Sequence, residues 1–381
     1  MNIIIPIRRY CNGSAAMNRL IGYAKGFAFY NINVWIYFLI TDKNEERLII
    51  NNPKIHIVNL WEKDSSFWRK KRFLELVKNL FILKNKVSTG NIIFLYGRVN
   101  YLYFTMWSLR KKNKIFCEIT EHPEYRKGGV MQKISIGMSL FFIRNFHGLF
   151  VISNTLKQFF ISSGVEKTKI DVINMFVDSS RFEGIDKKGG EKYIAYCGYV
   201  SRRKDGVDLL IESFALFHVK HKDYKLYIIG KGGFPEPLSF FEQLSINQGV
   251  RDSVVFTEEV SSEKMPELLV NADILVLARP DSLQARNGFP TKLGEYLSTG
   301  NPIVVTNVGE IPLFIKDKIN GIIAEESNVK DFAEKLSWVV EHPEQAKEIG
   351  KNGKKLVNSE FSYLEQSKKA LSFIIKNLYS L

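Results

Sequence analysis

Cysteine is scarce in this 381-residue chain, and the three present (Cys11, Cys117 and Cys197) lie far apart without C-x-x-C or metal-site spacing. That excludes a disulfide framework and a cysteine-built zinc site, and predicts buried thiols in a reducing compartment. Long apolar runs are also missing. The longest, "ISIGMSLFFIRNFHGLFVI", is interrupted by Arg144, Asn145 and His147, so no membrane-crossing helix is expected. The chain opens on the strand-like "NIIIPI", followed at once by basic residues. No secretory leader is expected from that pattern, and a cytoplasmic protein is. Low-complexity tracts and repeats of fixed period are absent as well.

What is present is the composition of a folded soluble protein, 45% hydrophobic and 25% charged. The length exceeds what one ordinary core supports, so two domains are expected. The net charge of +14 is unevenly placed. Residues 1–185 hold 28 Lys and Arg against 13 Asp and Glu, whereas residues 186–381 hold 26 against 27. A nucleic-acid binder with charge spread over its whole length would not segregate it this way. One basic half points to one face set against something anionic.

The basic half alternates helical patterns with short apolar runs: "NIIIPI", "VWIYFLI", "IHIVNL", "NIIFLYG", "KIFCEIT", "GLFVIS" and "KIDVIN". Such runs, bounded by turn residues, predict buried parallel strands. The polar, aperiodic "DSSRFEGIDKKGGEK" reads as a linker. The alternation then resumes with "KYIAYCG", "KLYIIGKG", "SVVFTEEV", "ADILVLA", "PIVVTNVG" and "GIIAEE", and helical patterns close the chain. The expectation is two doubly wound α/β domains, residues 1–183 and 184–360, with a final helix over 361–381. Ligands in such sheets sit beyond the carboxyl ends of the strands, and a cleft between two such domains is the expected site.

One stretch there is "RNGFPTKLGEYLSTGNP", residues 286–302. Pro290 is suited to the first helical position and Gly300 to ending the helix. The first-turn amides, near Thr291 and Lys292, lack partners within a helix and point with the positive end of its dipole. Their occupant is an anion, with Lys292 adding charge, or simply solvent. A second stretch, "GYVSRRKDGVDLLIESF", places Arg202, Arg203 and Lys204 between a strand and a helix, where phosphate binding outweighs a merely solvated face. The turn "IIGKGG" around Gly230 lets backbone approach a ligand, but it lacks the complete G-x-G-x-x-G pattern of dinucleotide folds. Gly13 and Ser14 occupy the corresponding turn after the first strand.

Together these segments resemble the nucleotide-sugar-dependent glycosyltransferases of GT-B fold, in particular retaining glycosyltransferase family 4, most strongly over residues 192–345. "CGYVSRRKDGVDLLIESF" is similar to the family's G-R-L-x-x-x-K-G segment, whose Arg and Lys hold the donor diphosphate. Lys204 matches the lysine. Tyr199 stands at the arginine position, with Arg202 or Arg203 as the alternative cation. "VVFTEEVSSEKMPELLVNADILVLARP", containing Val260, resembles the stretch from the nucleobase loop to the donor-sugar loop. "NGFPTKLGEYLSTGNPIVVTNVGEIP" resembles the signature of two glutamates separated by seven residues. Glu295 matches the second, which the resemblance assigns to the ribose hydroxyls. Asn287 stands in the place of the first, which touches the donor sugar. The backbone of Phe289, Pro290, Thr291 and Lys292 would hold the distal phosphate.

The resemblance further implies two Rossmann-like domains facing across a cleft, a C-terminal helix crossing back to the first, and sugar transfer with retention. Lys204 and the helix start would stabilise the departing nucleoside diphosphate. No Asp-x-Asp motif accompanies these segments, so no metal or other cofactor is expected. "CEITEHPEY" carries Glu121 and His122 toward the acceptor side; a lone histidine is as often structural. Glu118, inside the strand, reads as structural. The stretch "SSFWRKKRFLELVKNLFILKNK" places Trp68, Phe73, Leu76, Leu80 and Phe81 among Arg69, Lys70, Lys71, Arg72, Lys78, Lys84 and Lys86. It predicts a helix covering the sheet, with added contact to anionic lipid on the inner face of the plasma membrane. A saccharide or lipid-linked saccharide in cell-surface polysaccharide synthesis is the expected acceptor, and no nucleic acid is. Two other readings stay open: a nucleotide-sugar epimerase, and a weakened paralogue acting as a binding partner, to which Asn287 and Tyr199 both point.

Overall fold

The computed structural model describes residues 1–11, 13–42, 48–60, 62–63, 69–87, 89–124, 128–232 and 236–379. They form two compact units, residues 1–174 with 363–381 and residues 175–362. In the first unit the elements are β1 (Asn2–Arg9), α1 (Ala15–Phe29), β2 (Asn33–Asp42), β3 (Ile55–Asn59), β4 (Glu62–Lys63), α2 (Arg69–Lys86) and β5 (Ile92–Tyr96). There follow α3 (Asn100–Trp107), β6 (Lys114–Ile119), α4 (Val130–Arg144), β7 (Gly148–Val151), α5 (Asn154–Ser162) and β8 (Ile170–Val172). All seven apolar runs read as strands are strands. They make a parallel sheet of order β3-β2-β1-β5-β6-β7-β8, with the short β4 beside β2. The order reverses between β1 and β5, the topological switch of a doubly wound sheet.

Aromatic packing closes this core. Phe94, Phe116 and Phe150 are fully buried, and Phe116 and Phe150 stack with ring centroids 6.1 Å apart. Phe373, from the chain's last helix, meets both at 6.4 and 5.3 Å. That helix also lies against α1, where a Cβ on Gly26 would stand only 2.1 Å from the Ser367 hydroxyl. Beneath it is a buried ion pair. Arg19 reaches Glu118 at 2.6 Å, the Tyr23 hydroxyl donates to the same carboxylate at 2.7 Å, and Arg19 also donates to the Ile173 and Asn174 carbonyls. Glu118 therefore ties α1 and β6 to the end of β8.

The second unit contains β9 (Lys192–Cys197), α6 (Arg202–Asp205), α7 (Val207–His218), β10 (Tyr224–Ile229), α8 (Leu238–Asn247), β11 (Val254–Glu258), α9 (Met265–Asn271) and β12 (Ile274–Leu277). It continues through α10 (Leu283–Asn287), α11 (Lys292–Thr299), β13 (Ile303–Thr306), α12 (Ile311–Phe314), β14 (Ile322–Ala324), α13 (Val329–Glu341) and α14 (Pro343–Asn358). The final helix, α15 (Tyr363–Tyr379), belongs to the first unit. The sheet is again parallel, of order β11-β10-β9-β12-β13-β14, with its switch point between β9 and β12.

The unit boundary falls at 174/175, nine residues earlier than the linker reading placed it. The polar segment is bound down along the second unit. Arg181 pairs with Glu295, Lys187 with Asp273 and Lys188 with Glu267, while the Lys188 amide donates to Asn271. Polar composition disguised it, because its partners are polar groups distant in sequence. The boundary also sharpens the charge division. The first unit holds 30 Lys and Arg against 12 Asp and Glu (+18), and the second 24 against 28 (−4).

Candidate active site in the second unit

The site grows from the carboxyl ends of β9 and β12. Gly198, just past β9, has φ 141°, and a Cβ there would meet Lys292 Nζ at 2.3 Å. Gly230, just past β10, has φ 139°, and a Cβ on it would lie 2.0 Å from the Gly198 carbonyl oxygen. Gly230 thus allows close backbone packing between adjacent strand ends. Ser201 caps the single turn of α6 by accepting from the Lys204 amide at 3.3 Å, and Gly206, in the left-handed region, ends it.

Within that turn lies a residue the sequence reading passed over. Asp205 is buried, and its Oδ2 accepts from Lys292 Nζ at 2.7 Å and from the Tyr196 hydroxyl at 2.8 Å. Lys292 Nζ also donates to the Tyr196 oxygen at 2.9 Å and lies 4.3 Å from the centre of that ring. The buried Arg279, from the end of β12, brings its Nε within 3.8 Å of Asp205 Oδ1 and donates to the Lys204 carbonyl at 3.3 Å. Burial pushes the Asp205 carboxyl upward, but Lys292, Arg279 and Lys204 outweigh it and hold the acid below its ordinary value. The Lys292 side chain is only 14% exposed. Its charge is paired with Asp205, a partner the sequence reading did not include. The signal for Asp205 was present, as an acid directly after a basic triplet. Its partner 87 residues later was not visible.

α11 begins at Lys292, two residues after the expected Pro290. The Leu293 and Gly294 amides bond to the Pro290 and Thr291 carbonyls at 3.1 and 3.3 Å, a tight i→i+3 entry in which no side chain caps the first turn. Phe289 anchors the entry with its buried ring against Phe314 and Phe361. Gly300, at φ 78°, ends the helix as expected. Glu295, one turn in, accepts from Arg181 Nη1 at 2.7 Å, and Arg181 Nη2 donates to the Ser262 carbonyl at 2.9 Å. Arg181 is a second residue the sequence reading missed, since it lay inside the supposed linker. The buried Cys197 thiol, pushed up to about 12 by burial, feels the charges of Glu295, Lys292, Arg181 and Asp205, so these groups converge on the end of β9.

The remaining candidates fall unevenly. Arg202 is committed to Asp208 at 2.7 Å. Arg203 is exposed and Lys204 half-buried, while Tyr199 is 44% exposed. Asn287 is buried at the end of α10, and its Nδ2 donates to the Leu283 carbonyl at 2.9 Å. One amide N–H of Asn287 thus bonds back to its own helix. Val260 is half-exposed just beyond β11. In the first unit, Gly13 sits in an exposed turn at φ 68° before Ser14, which caps α1. Glu121 is half-exposed after β6, and His122 is buried with its ring 4.2 Å from Phe159. The His122 Nδ1 accepts from the Glu124 amide at 3.1 Å. Burial lowers its pKa against the opposing pull of Glu124, so the ring is neutral with its proton on Nε2. Among the described residues no cluster of three or more His, Cys, Asp or Glu is placed to hold a metal.

Residues 178–356 match the family model described as Glycosyl transferases group 1. The capsular polysaccharide biosynthesis glycosyltransferase CapM of Staphylococcus aureus is 28% identical over 229 residues, covering 56% of this chain and 57% of CapM. The chain spans about half the length of the curated relatives it matches. Sucrose-phosphate synthase from Thermosynechococcus elongatus superposes with a TM-score of 0.76 at 15% identity, covering 98% of both chains. A TarM mutant from S. aureus, in complex with fondaparinux, α-GlcNAc-glycerol and UDP, gives 0.75 at 13% identity over 100% of both. The chain has the GT-B fold. The match to the glycosyl transferases group 1 model falls within the second unit.

Proposed function

We propose that the chain is a retaining glycosyltransferase that moves a sugar from a nucleoside diphosphate sugar to a saccharide or lipid-linked saccharide in bacterial cell-surface polysaccharide synthesis. The observation carrying this reading is the convergence of Lys204, the amide end of α11 and Glu295 on the carboxyl ends of β9 and β12, inside the segment matching the group 1 family. UDP in the related TarM complex supports a nucleotide donor. Glu295 holds the ribose with the carboxylate that Arg181 orients, and Arg203 and Lys204 face the diphosphate. The acceptor oxygen bonds to the anomeric carbon on the face the diphosphate leaves. The carbon–oxygen bond to that diphosphate breaks, and the acceptor proton passes to the departing phosphate oxygen. Lys204 and the α11 amides stabilise the charge that develops there, with no metal required. His122 offers its Nε2–H to the acceptor, beside Glu121. The protein works in the cytoplasm against the inner face of the plasma membrane.

A thermal-shift panel of nucleoside diphosphates and nucleotide sugars, followed by turnover with the stabilising donor, tests the reading. Lys204→Ala should lower transfer about 10²–10³-fold, the scale of one lost donor to a developing oxyanion, with melting unchanged. Unchanged turnover in that variant would remove Lys204 from the mechanism. A second reading, a non-catalytic binding partner, draws support from the commitment of Asn287 Nδ2 to Leu283. Stabilisation by a donor with neither transfer nor hydrolysis would favour it. Epimerised donor released without acceptor would instead point to an epimerase.

A further inference from the structure

We infer that the outer face of α3 and α4 is an in-plane docking surface for an anionic lipid bilayer. This deepens the reading of a lipid-linked acceptor and moves its membrane contact away from the basic stretch at the start of α2. Ser65–Trp68 lie outside the described residues, as do the side chains of Arg69–Phe73. Of the rest of α2, Leu74 and Phe81 are exposed beside Lys78 and Lys84, while Leu76 and Leu80 are half-buried. α3 packs against both α2 and α4.

The larger apolar face is on α4. Met131, Ile134, Met138 and Phe141 are 79%, 51%, 48% and 51% exposed. Their spacing of three, four and three residues sets them on one side of the helix. Phe104 of α3 extends the patch at 61% exposure. Its ring lies 6.3 Å from Phe142, and Trp107 lies 5.9 Å from Phe141. A monomer rarely exposes so continuous an apolar surface without a use for it. The same helix was the longest apolar run of the sequence, yet no helix among the described residues is long and apolar enough to cross a membrane. Its geometry suits a helix lying in the interface.

Charge selects the occupant. The Arg110 guanidinium sits 3.8 Å from the centre of the Trp107 ring, a cation at the aromatic edge of the patch. Lys111 and Lys112 follow it, exposed, and Lys133 projects from α4. Between Arg98 and His147 the acids are Glu118, Glu121 and Glu124, and none falls on α3 or α4. A second copy seated on this face would bring two cationic rims together, which opposes self-association. An anionic leaflet matches both the apolar centre and the basic rim.

The test is flotation of the full chain with phosphatidylglycerol–phosphatidylethanolamine vesicles and with neutral phosphatidylcholine vesicles. Anionic vesicles should bind and neutral ones should not, with binding fading as salt rises. Replacing Lys111, Lys112 and Lys133 by Gln should weaken binding about a hundredfold, at about fivefold per charge. Replacing Met131, Met138 and Phe141 by Ser should weaken it at least about tenfold, with unchanged near-ultraviolet circular dichroism. Lys78→Gln/Lys84→Gln on α2 should have a smaller effect. Equal binding by wild type and both α3–α4 variants would overturn the inference. So would a wild-type dimer, in light scattering without lipid, that the Ser variant converts to monomer. Calorimetry with UDP on the same preparations separates the two readings: UDP binding without vesicle binding removes this surface and leaves the transferase standing.

Discussion

The two units share an architecture and differ in where they keep their charge. In the second unit, at −4, the informative charges are inside. Asp205 and Arg279 are buried at a switch point with Lys292 largely covered beside them, Asp205 accepting from Lys292 at 2.7 Å and lying 3.8 Å from Arg279. In the first, at +18, the buried pair of Arg19 and Glu118 ties elements together, and among the described residues Lys78, Lys84, Lys111, Lys112 and Lys133 are exposed on or beside helices that also expose apolar side chains. Inward charge constrains the shape of a small site, because a buried ion tolerates few geometries. Outward charge suits a large, soft partner, because attraction between exposed charges is weak per pair, screened beyond about 10 Å and unspecific in direction. The same fold thus carries paired charge inside one unit and exposed charge on the other.

The sharpest way to break this contrast is to empty the inner cluster. Asp205→Ala leaves Lys292 buried without its carboxylate and should cost about 3–5 kcal/mol of stability in the second unit, read as a drop in the denaturant midpoint. Lys292→Met added to it should recover part of that loss. A single variant as stable as wild type would mean that the cluster contributes no constraint.

A smaller effect is expected at Glu295, at the edge of the same site. Glu295→Ala should weaken UDP binding by about 1–3 kcal/mol, the scale of a charge-assisted hydrogen bond left unmade. Arg181→Ala should weaken it by less, and a double-mutant cycle between the two should show coupling of about 0.5–1.5 kcal/mol. Additive effects would mean that Arg181 does not orient the carboxylate.

The smallest effect concerns a half-buried histidine of the first unit, His147. Burial, with Lys114 and Lys169, holds His147 down at about 4, and its Nδ1 accepts from the Ile115 amide at 3.0 Å. Its folded pKa lies below the unfolded value of about 6.5. Between those values the unfolded chain takes a proton that the folded chain refuses, so stability falls as pH drops from about 6.5 toward 4. His147→Gln should flatten that limb, seen as a smaller loss of melting temperature between pH 7 and pH 5 than in wild type. An identical pH profile would show that His147 does not govern it.

The strands, the helix stop at Gly300 and the double winding were legible in the sequence because each follows from local pattern. Apolar runs of strand length and a glycine past a helix carry their meaning within a few residues. Lys204 and Glu295 entered as site candidates through a resemblance strongest over residues 192–345, which rests on spacing along the chain. Asp205 and Arg181 did not, because each acquires its role from a partner far away: Lys292 for one, Glu295 for the other. The polar segment 178–192 read as a linker for the same reason, since composition records that a residue is charged and not what it meets. Gly230 was recognised as a turn, but only the fold revealed that another backbone, that of Gly198, occupies the space beside it. The sequence by itself determined which residues form two parallel sheets and that positive charge gathers in one half. The tertiary structure decided which of those charges are cancelled inside and which remain on the surface, because burial and pairing are properties of neighbours that only folding brings together.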